Sequence, residues 1–161
     1  MRILMEAQGT LTPVMSKTQV VYAFPLPEGL AGLTIHFRYS PKLLEDTERA
    51  EELIRQSAPR YMEEPQLSRY LERWENALPL SNLLTLSLDD PSGFRGAAHR
   101  HSPEQSHRIG RTEASPGFLP GPAAAGIWQI TISAHAVVTE DCGYSLKVTG
   151  WNEEEAYDGL A

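Results

Sequence analysis

The chain has 161 residues, a formal net charge of −7 and a single cysteine, a length that suits one domain whose core needs no covalent staples. One cysteine excludes an internal disulfide framework and a multi-cysteine metal site, and the acidic balance argues against broad phosphate neutralisation on nucleic acid. Apolar runs fall well short of the roughly 20 residues of a membrane span, and Met1-Arg2-Ile3-Leu4-Met5-Glu6 is too short an apolar opening for a signal peptide, so the sequence predicts a cytoplasmic protein with neither nucleic acid nor membrane as partner.

Thr18 to Leu26 is rich in β-branched and aromatic residues and closes on Pro25-Leu26-Pro27-Glu28-Gly29, which reads as a strand and its stop. Leu33, Ile35, Phe37 and Tyr39 then alternate with Thr34, His36, Arg38 and Ser40, a strand with one buried and one wet face, His36 on the wet one. From Leu43 the period becomes helical: Leu44, Ala50, Leu53, Ile54 and Ser57 share a face. Asp46 and Glu48 suit the first turn, and Ala58-Pro59 breaks the helix. A second helix is expected from Pro65 to Ala77, with Leu67, Tyr70, Leu71, Trp74 and Leu78 on one side and a proline tolerated at its start. Residues 43–78 thus read as an αα-hairpin inserted between strands. It would pack on a sheet edge or offer Tyr70 and Trp74 to another copy, which leaves a homo-oligomer open.

Strand alternation resumes at Asn82 to Asp89 through Leu84, Leu86 and Leu88, ended by the turn Asp90-Pro91-Ser92-Gly93. Eleven of the 36 residues from Pro91 to Gly126 are proline or glycine, yet a structureless loop of that length is unusual in a compact domain. Phe94 to Arg100 and Gln105 to Arg111 therefore read as a hairpin across His101-Ser102-Pro103-Glu104. The prolines of Ala114 to Pro122 lack ladder donors, so this stretch reads as a rigid extended crossing anchored by Phe118 and Leu119. Two strong strands follow, Trp128 to Ala136 and Tyr144 to Thr149, joined by Thr139-Glu140-Asp141-Cys142-Gly143. Trp151 is expected to seal the base of the core, and the acidic tail 152–161 to lack structure. The whole reads as mainly β: an antiparallel β-sandwich, jelly-roll-like, spanning residues 1–151 with the helical insertion.

The segment Pro91 to Gly126 is locally basic and holds three of the five histidines, His99, His101 and His107. Its ligand-binding candidates are Arg95, His99, Arg100, His101 and Arg108, with His135 on a neighbouring wet face; the plain alternative is that Arg95 braces the turn and the rest are solvated. His99, His101 and His107 on a hairpin could also hold zinc with Glu104, Glu113 or water as fourth ligand. Exposed histidines imitate such sets, so solvent-facing imidazoles are preferred and no cofactor is expected. A Gly-x-Ser-x-Gly elbow is missing. Cys142 sits beside Glu140 and Asp141, which would raise a thiol pKa and suit a structural cysteine. Asp89 and Asp90 point to opposite faces of a strand and cannot share one substrate; one of them would cap the turn or pair with Arg95. Gly93-Phe94-Arg95-Gly96 has the Gly-x-x-Gly shape of an RNA-binding module, but strands flank it where that module has helices.

Several blocks carry a family resemblance: Phe24-Pro25-Leu26-Pro27-Glu28-Gly29, LSLDDPSGFRG from Leu86 to Gly96, ASPGFLPGP from Ala114 to Pro122, Gly126-Ile127-Trp128-Gln129-Ile130 and Tyr144-Ser145-Leu146. Together they resemble the N-terminal β-sandwich domain found ahead of PHP-type metal-dependent phosphoesterase domains, over nearly all of residues 18 to 150. The last two strands also look like the small sandwich domains appended to secreted peptidases. The resemblance implies a sandwich fold, with catalysis belonging to the separate PHP domain, for which this chain has no room. His99-Arg100-His101 resembles that superfamily's opening His-x-His, but the Asp-Leu before it and the later ligands are missing, so no metal site is carried over. The expected function is a non-catalytic binding or assembly module for an unknown protein or glycan. The alternatives are a metal-dependent hydrolase built on the histidines of 93–111 and a lectin-like carbohydrate-binding domain, the latter on fold analogy.

Overall fold

The computed structural model describes residues 1–99 and 101–158. The protein is mainly β, with eight strands: β1 Arg2–Leu11, β2 Thr18–Leu26, β3 Gly32–Ser40, β4 Leu83–Asp90, β5 Gly93–Ala98, β6 Glu104–Gly110, β7 Gly126–Ala136 and β8 Cys142–Trp151. They form two four-stranded antiparallel sheets, ordered β1-β8-β3-β6 and β2-β7-β4-β5. Period-2 alternation puts every second side chain between the sheets: Leu33, Ile35 and Phe37 of β3, Leu84, Leu86 and Leu88 of β4, Trp128, Ile130 and Ile132 of β7, and Leu146 and Val148 of β8 make one continuous core. Trp128 lies at its centre, its Nε1–H donating to the Ala124 carbonyl at 2.8 Å.

Strand β1 has no strong alternation because two of its inward positions opposite β8 are small. Ala7 and Gly9 pair with Leu146 and Tyr144, and a Cβ on Gly9 would lie within 2.3 Å of the Tyr144 hydroxyl. The volume a larger residue would fill is taken by that phenol, which bonds the Tyr22 hydroxyl at 2.6 Å. Burial, then the hydrogen bond to Tyr22, pushes the Tyr144 pKa up. A phenol whose pKa is raised on folding stabilises the fold below its unfolded pKa of about 10 and loses that contribution as pH climbs beyond it. Alkaline denaturation should therefore be shallower in Tyr144→Phe than in the parent, as read by denaturant midpoints across the alkaline range. Parallel profiles would show that the pair does not titrate with folding.

Strands β5 and β6 form close to the expected places but do not pair as a hairpin. β5 pairs with β4, with Leu86 opposite Ala98 and Asp90 opposite Gly93; β6 pairs with β3, with Gly32 opposite Gly110 and Arg38 opposite Glu104. The two strands thus belong to different sheets. Ser102-Pro103 offers none of the Gly or Asn chemistry of a tight hairpin, and each strand instead completes a different sheet edge.

Helix α1 (Thr47–Ser57) starts at Asp46, whose carboxylate accepts from the Arg49 backbone N–H at 3.1 Å, and buries Ala50 and Ile54. Helix α2 (Gln66–Glu72) is shorter than the expected 65–77 span. It buries no residue and gives way to a 3-10 turn at Trp74–Ala77, since a short helix without a buried face gains little from propagation. The acidic end expected to lack structure carries helix α3 (Glu153–Asp158). A reciprocal cap starts it: Asn152 Oδ1 accepts from Glu155 N at 3.0 Å, and Glu155 Oε2 accepts from Asn152 N at 2.9 Å. Three acids in the first turn favour the helix dipole. Residues 159–161 of that tail lie outside the described residues. No helix among the described residues is long and apolar enough to cross a membrane.

Candidate functional site

The sequence candidates do not converge. Arg95 is only 5% exposed. Its guanidinium pairs with Asp90 at 3.0 Å and donates to the carbonyls of Leu119 and Pro122 at 2.8 and 2.9 Å. It thus locks the β4–β5 turn to the extended crossing, the bracing role, and is not offered to a ligand. The Leu119 side chain is 52% exposed, so this expected anchor holds through its backbone, donating to Arg95 O at 2.9 Å, while Phe118 is buried as expected. His99 and His101 are exposed on the crossing between β5 and β6; Arg100 lies outside the described residues.

His107 departs from the solvent-facing expectation. It falls on the inward phase of β6 and is 1% exposed, with Nε2 at 2.8 Å from Gln105 Oε1 and its ring 4.9 Å from that of Phe118. Strand parity decides this, since Gln105 and Ile109 share its inward phase. The three histidines of the metal alternative therefore do not present one shared face, and no group of three or more His, Cys, Asp or Glu among the described residues could hold a metal ion. His135 lies exposed on the outward face of β7, in the other sheet from β6, with Nε2 at 2.7 Å from Thr85 Oγ1. Cys142 is fully buried, and burial is the main cause that pushes its thiol pKa up, which disarms it as a nucleophile.

Arg108 lines a cleft, and Trp151 is its partner. Counting from Val148 in the core, alternation turns Trp151 to the outward face of β8 rather than to the base of the core. There it meets a row of glycines: Gly32 pairs with Trp151 on one side and Gly110 on the other. A Cβ on Gly32 would sit 2.2 Å from Trp151 Cζ2, and one on Gly110 would sit 3.0 Å from Cη2. Glycine at both positions is what lets the indole lie against the sheet. Arg108, two residues before Gly110 and on the same face, stacks its guanidinium 4.0 Å from the indole centroid and donates to the Ala156 carbonyl of α3 at 3.2 Å. Residues 111–115 double back along the edge of β6. Ser115 N donates to Arg108 O, Arg108 N to Ser115 Oγ and Gly110 N to Glu113 O, each at 2.8 Å.

Sheet, strap and α3 enclose a cleft of about 450 Å³, within the size range of small-molecule sites. Arg108, Arg111, Glu113 and Glu153 line it, and none of the four forms an ion pair among the described residues. Trp151 is 5% exposed, and its Nε1–H is buried without an acceptor, as is the Thr149 hydroxyl two residues earlier on the same face. The rest of this outward face is polar and shallow, with Gln8, His36, Arg38, Ser145 and Lys147 along an open groove. Arg108 was legible in the sequence as one cation of a basic stretch. Trp151 was not, because its partners are set by register; the one signal was glycine at strand ends, which marks close approach.

Fold and cleft together define a two-sheet antiparallel β protein carrying a polar, aromatic-floored recess on the outward face of one sheet. The chain matches no protein-family model and no curated protein at a significant level.

Proposed function

We propose that the protein is a non-catalytic binding module that takes its ligand in the Arg108–Trp151 cleft, and that it is a relative of the accessory β-sandwich of PHP phosphoesterases. The observation that carries the binding reading is a cleft lined by Arg108, Arg111, Glu113 and Glu153, none of them in an ion pair among the described residues, beside Trp151, whose buried Nε1–H has no acceptor there. An unsatisfied buried donor costs about 1–3 kcal/mol, and a ligand acceptor would offset that cost. The order β1-β8-β3-β6 facing β2-β7-β4-β5 supports a jelly roll with the helices between β3 and β4 as an αα-hairpin excursion. The family reading draws support from the two most specific blocks, DPSGFRG and PGFLPGP, which interlock: Arg95 of one, paired with Asp90, donates to the Leu119 and Pro122 carbonyls of the other, and Gly96 bridges Phe118. A single buried thiol suits a cytoplasmic setting.

The test is a fragment set titrated into ¹⁵N-labelled protein. Saturable shifts should cluster on the Trp151 indole N–H and the amides of 108–115. Arg108→Gln should weaken those ligands about tenfold or more, since a charge-assisted hydrogen bond contributes about 1.5–3 kcal/mol. Shifts that gather elsewhere, or an unchanged affinity in Arg108→Gln, would defeat the reading.

A further inference from the structure

Resting on that binding reading, we propose that the cleft takes a small zwitterion of the α-amino-acid class. Its four lining charges are two of each sign, Arg108 and Arg111 against Glu113 and Glu153, and none is neutralised by another described residue. A ligand of one sign would satisfy one pair and be repelled by the other. A dianionic phosphate meets two carboxylates in the same recess, and a neutral sugar leaves all four charges uncompensated. A sugar is further disfavoured because Arg108 already covers the indole at 4.0 Å, so the ring is no stacking platform.

A zwitterion answers each feature. Its carboxylate is a planar acceptor suited to guanidinium geometry, and the same group supplies the acceptor that Trp151 Nε1–H lacks. Its ammonium faces the two glutamates. The small apolar lining, Ala31, Ala114 and Ala156, leaves room for an aliphatic side chain. A cleft of about 450 Å³ holds one such molecule with its solvation, not a long peptide.

The probes are L-leucine, N-acetyl-L-leucine, which lacks the ammonium, and L-leucinamide, which lacks the carboxylate. Each is added at matched ionic strength while the Trp151 indole resonance, assigned with Trp151→Phe, is followed. L-leucine should saturate the shift with a midpoint below about 10 mM, and each derivative should bind at least about tenfold more weakly. Glu113→Gln/Glu153→Gln should weaken L-leucine by a similar factor and tighten N-acetyl-L-leucine, whose lone carboxylate the two glutamates repel, the retained binding showing that the variant is folded. Equal binding of N-acetyl-L-leucine, or an equal response to inorganic phosphate, would overturn the zwitterion and leave the binding module standing. Silence towards L-leucine alongside fragments that bind the cleft would do the same. Silence of the cleft towards every probe and every fragment would overturn both.

Discussion

Arg95→Met should lower the stability of the protein by roughly 3–5 kcal/mol, the usual cost of removing one partner of a buried ion pair. At about 2–4 °C per kcal/mol for a domain of this size, Tm should fall by roughly 6–20 °C. The side chain is 7% exposed and its partner Asp90 15%, so solvent screens the pair little. Loss of the guanidinium leaves the Asp90 carboxylate facing the space it occupied and frees the carbonyls of Leu119 and Pro122, which Arg95 binds at 2.8 and 2.9 Å. Arg95→Lys should recover little, because one ammonium cannot span the carboxylate and two divergent carbonyls as a planar fork does. Arg95 Nη2 is itself buried without an acceptor, so the pair is imperfect, and Arg95→Met/Asp90→Leu should cost less than Arg95→Met alone. Thermal and urea melts of the three variants decide it. A loss below about 1 kcal/mol in Arg95→Met would mean that the lock is not structural.

Asn82→Ala should cost about 3–5 kcal/mol, because each buried polar group left unpaired costs about 1–3 kcal/mol. Asn82 is fully buried. Its Nδ2 donates to Pro41 O at 2.9 Å and Thr139 Oγ1 at 2.8 Å, while Oδ1 accepts from Val138 N at 2.7 Å. One amide thereby ties the exit of the helical insertion to the segment leaving β7. Asn82→Asp keeps the acceptor but turns a carboxylate oxygen towards the Pro41 carbonyl, so it should be comparably unstable at neutral pH. Burial raises the pKa of such a carboxyl, and its protonated form donates again. Stability relative to the parent should therefore recover as pH falls, and denaturant midpoints at neutral and mildly acidic pH would show it. A constant deficit across pH would place the loss in packing instead.

What the sequence made legible follows from local pattern. Alternation in β3, β4, β7 and β8 announced both the strands and their buried faces, because a sheet with one wet side repeats every second residue. An aspartate at Asp89 or Asp90 that caps the turn or pairs with Arg95 was readable from the turn chemistry, and the structure selects Asp90 for both roles. Strand β1 was not readable, since Gly9 is kept small by Tyr144 from a strand some 135 residues later, and no local window contains that reason. Closeness in sequence favours pairing β5 with β6 as a hairpin, whereas each strand pairs at the edge of a different sheet.

The candidate site divides in the same way. Composition marked residues 91–126 as basic and histidine-rich, and so brought forward Arg108. The phase of β6 decided that His107 faces the core, and only the strand pairings decided that His135 belongs to the opposite sheet and that Arg108 meets Trp151 over Gly32 and Gly110. The sequence by itself determined a mainly β chain and the inward sets of β3, β4, β7 and β8, because side-chain parity is a property of one strand. Tertiary structure alone decided the cleft, because its walls come from β8, β6, the 111–115 strap and α3, brought together by pairings that no single segment encodes.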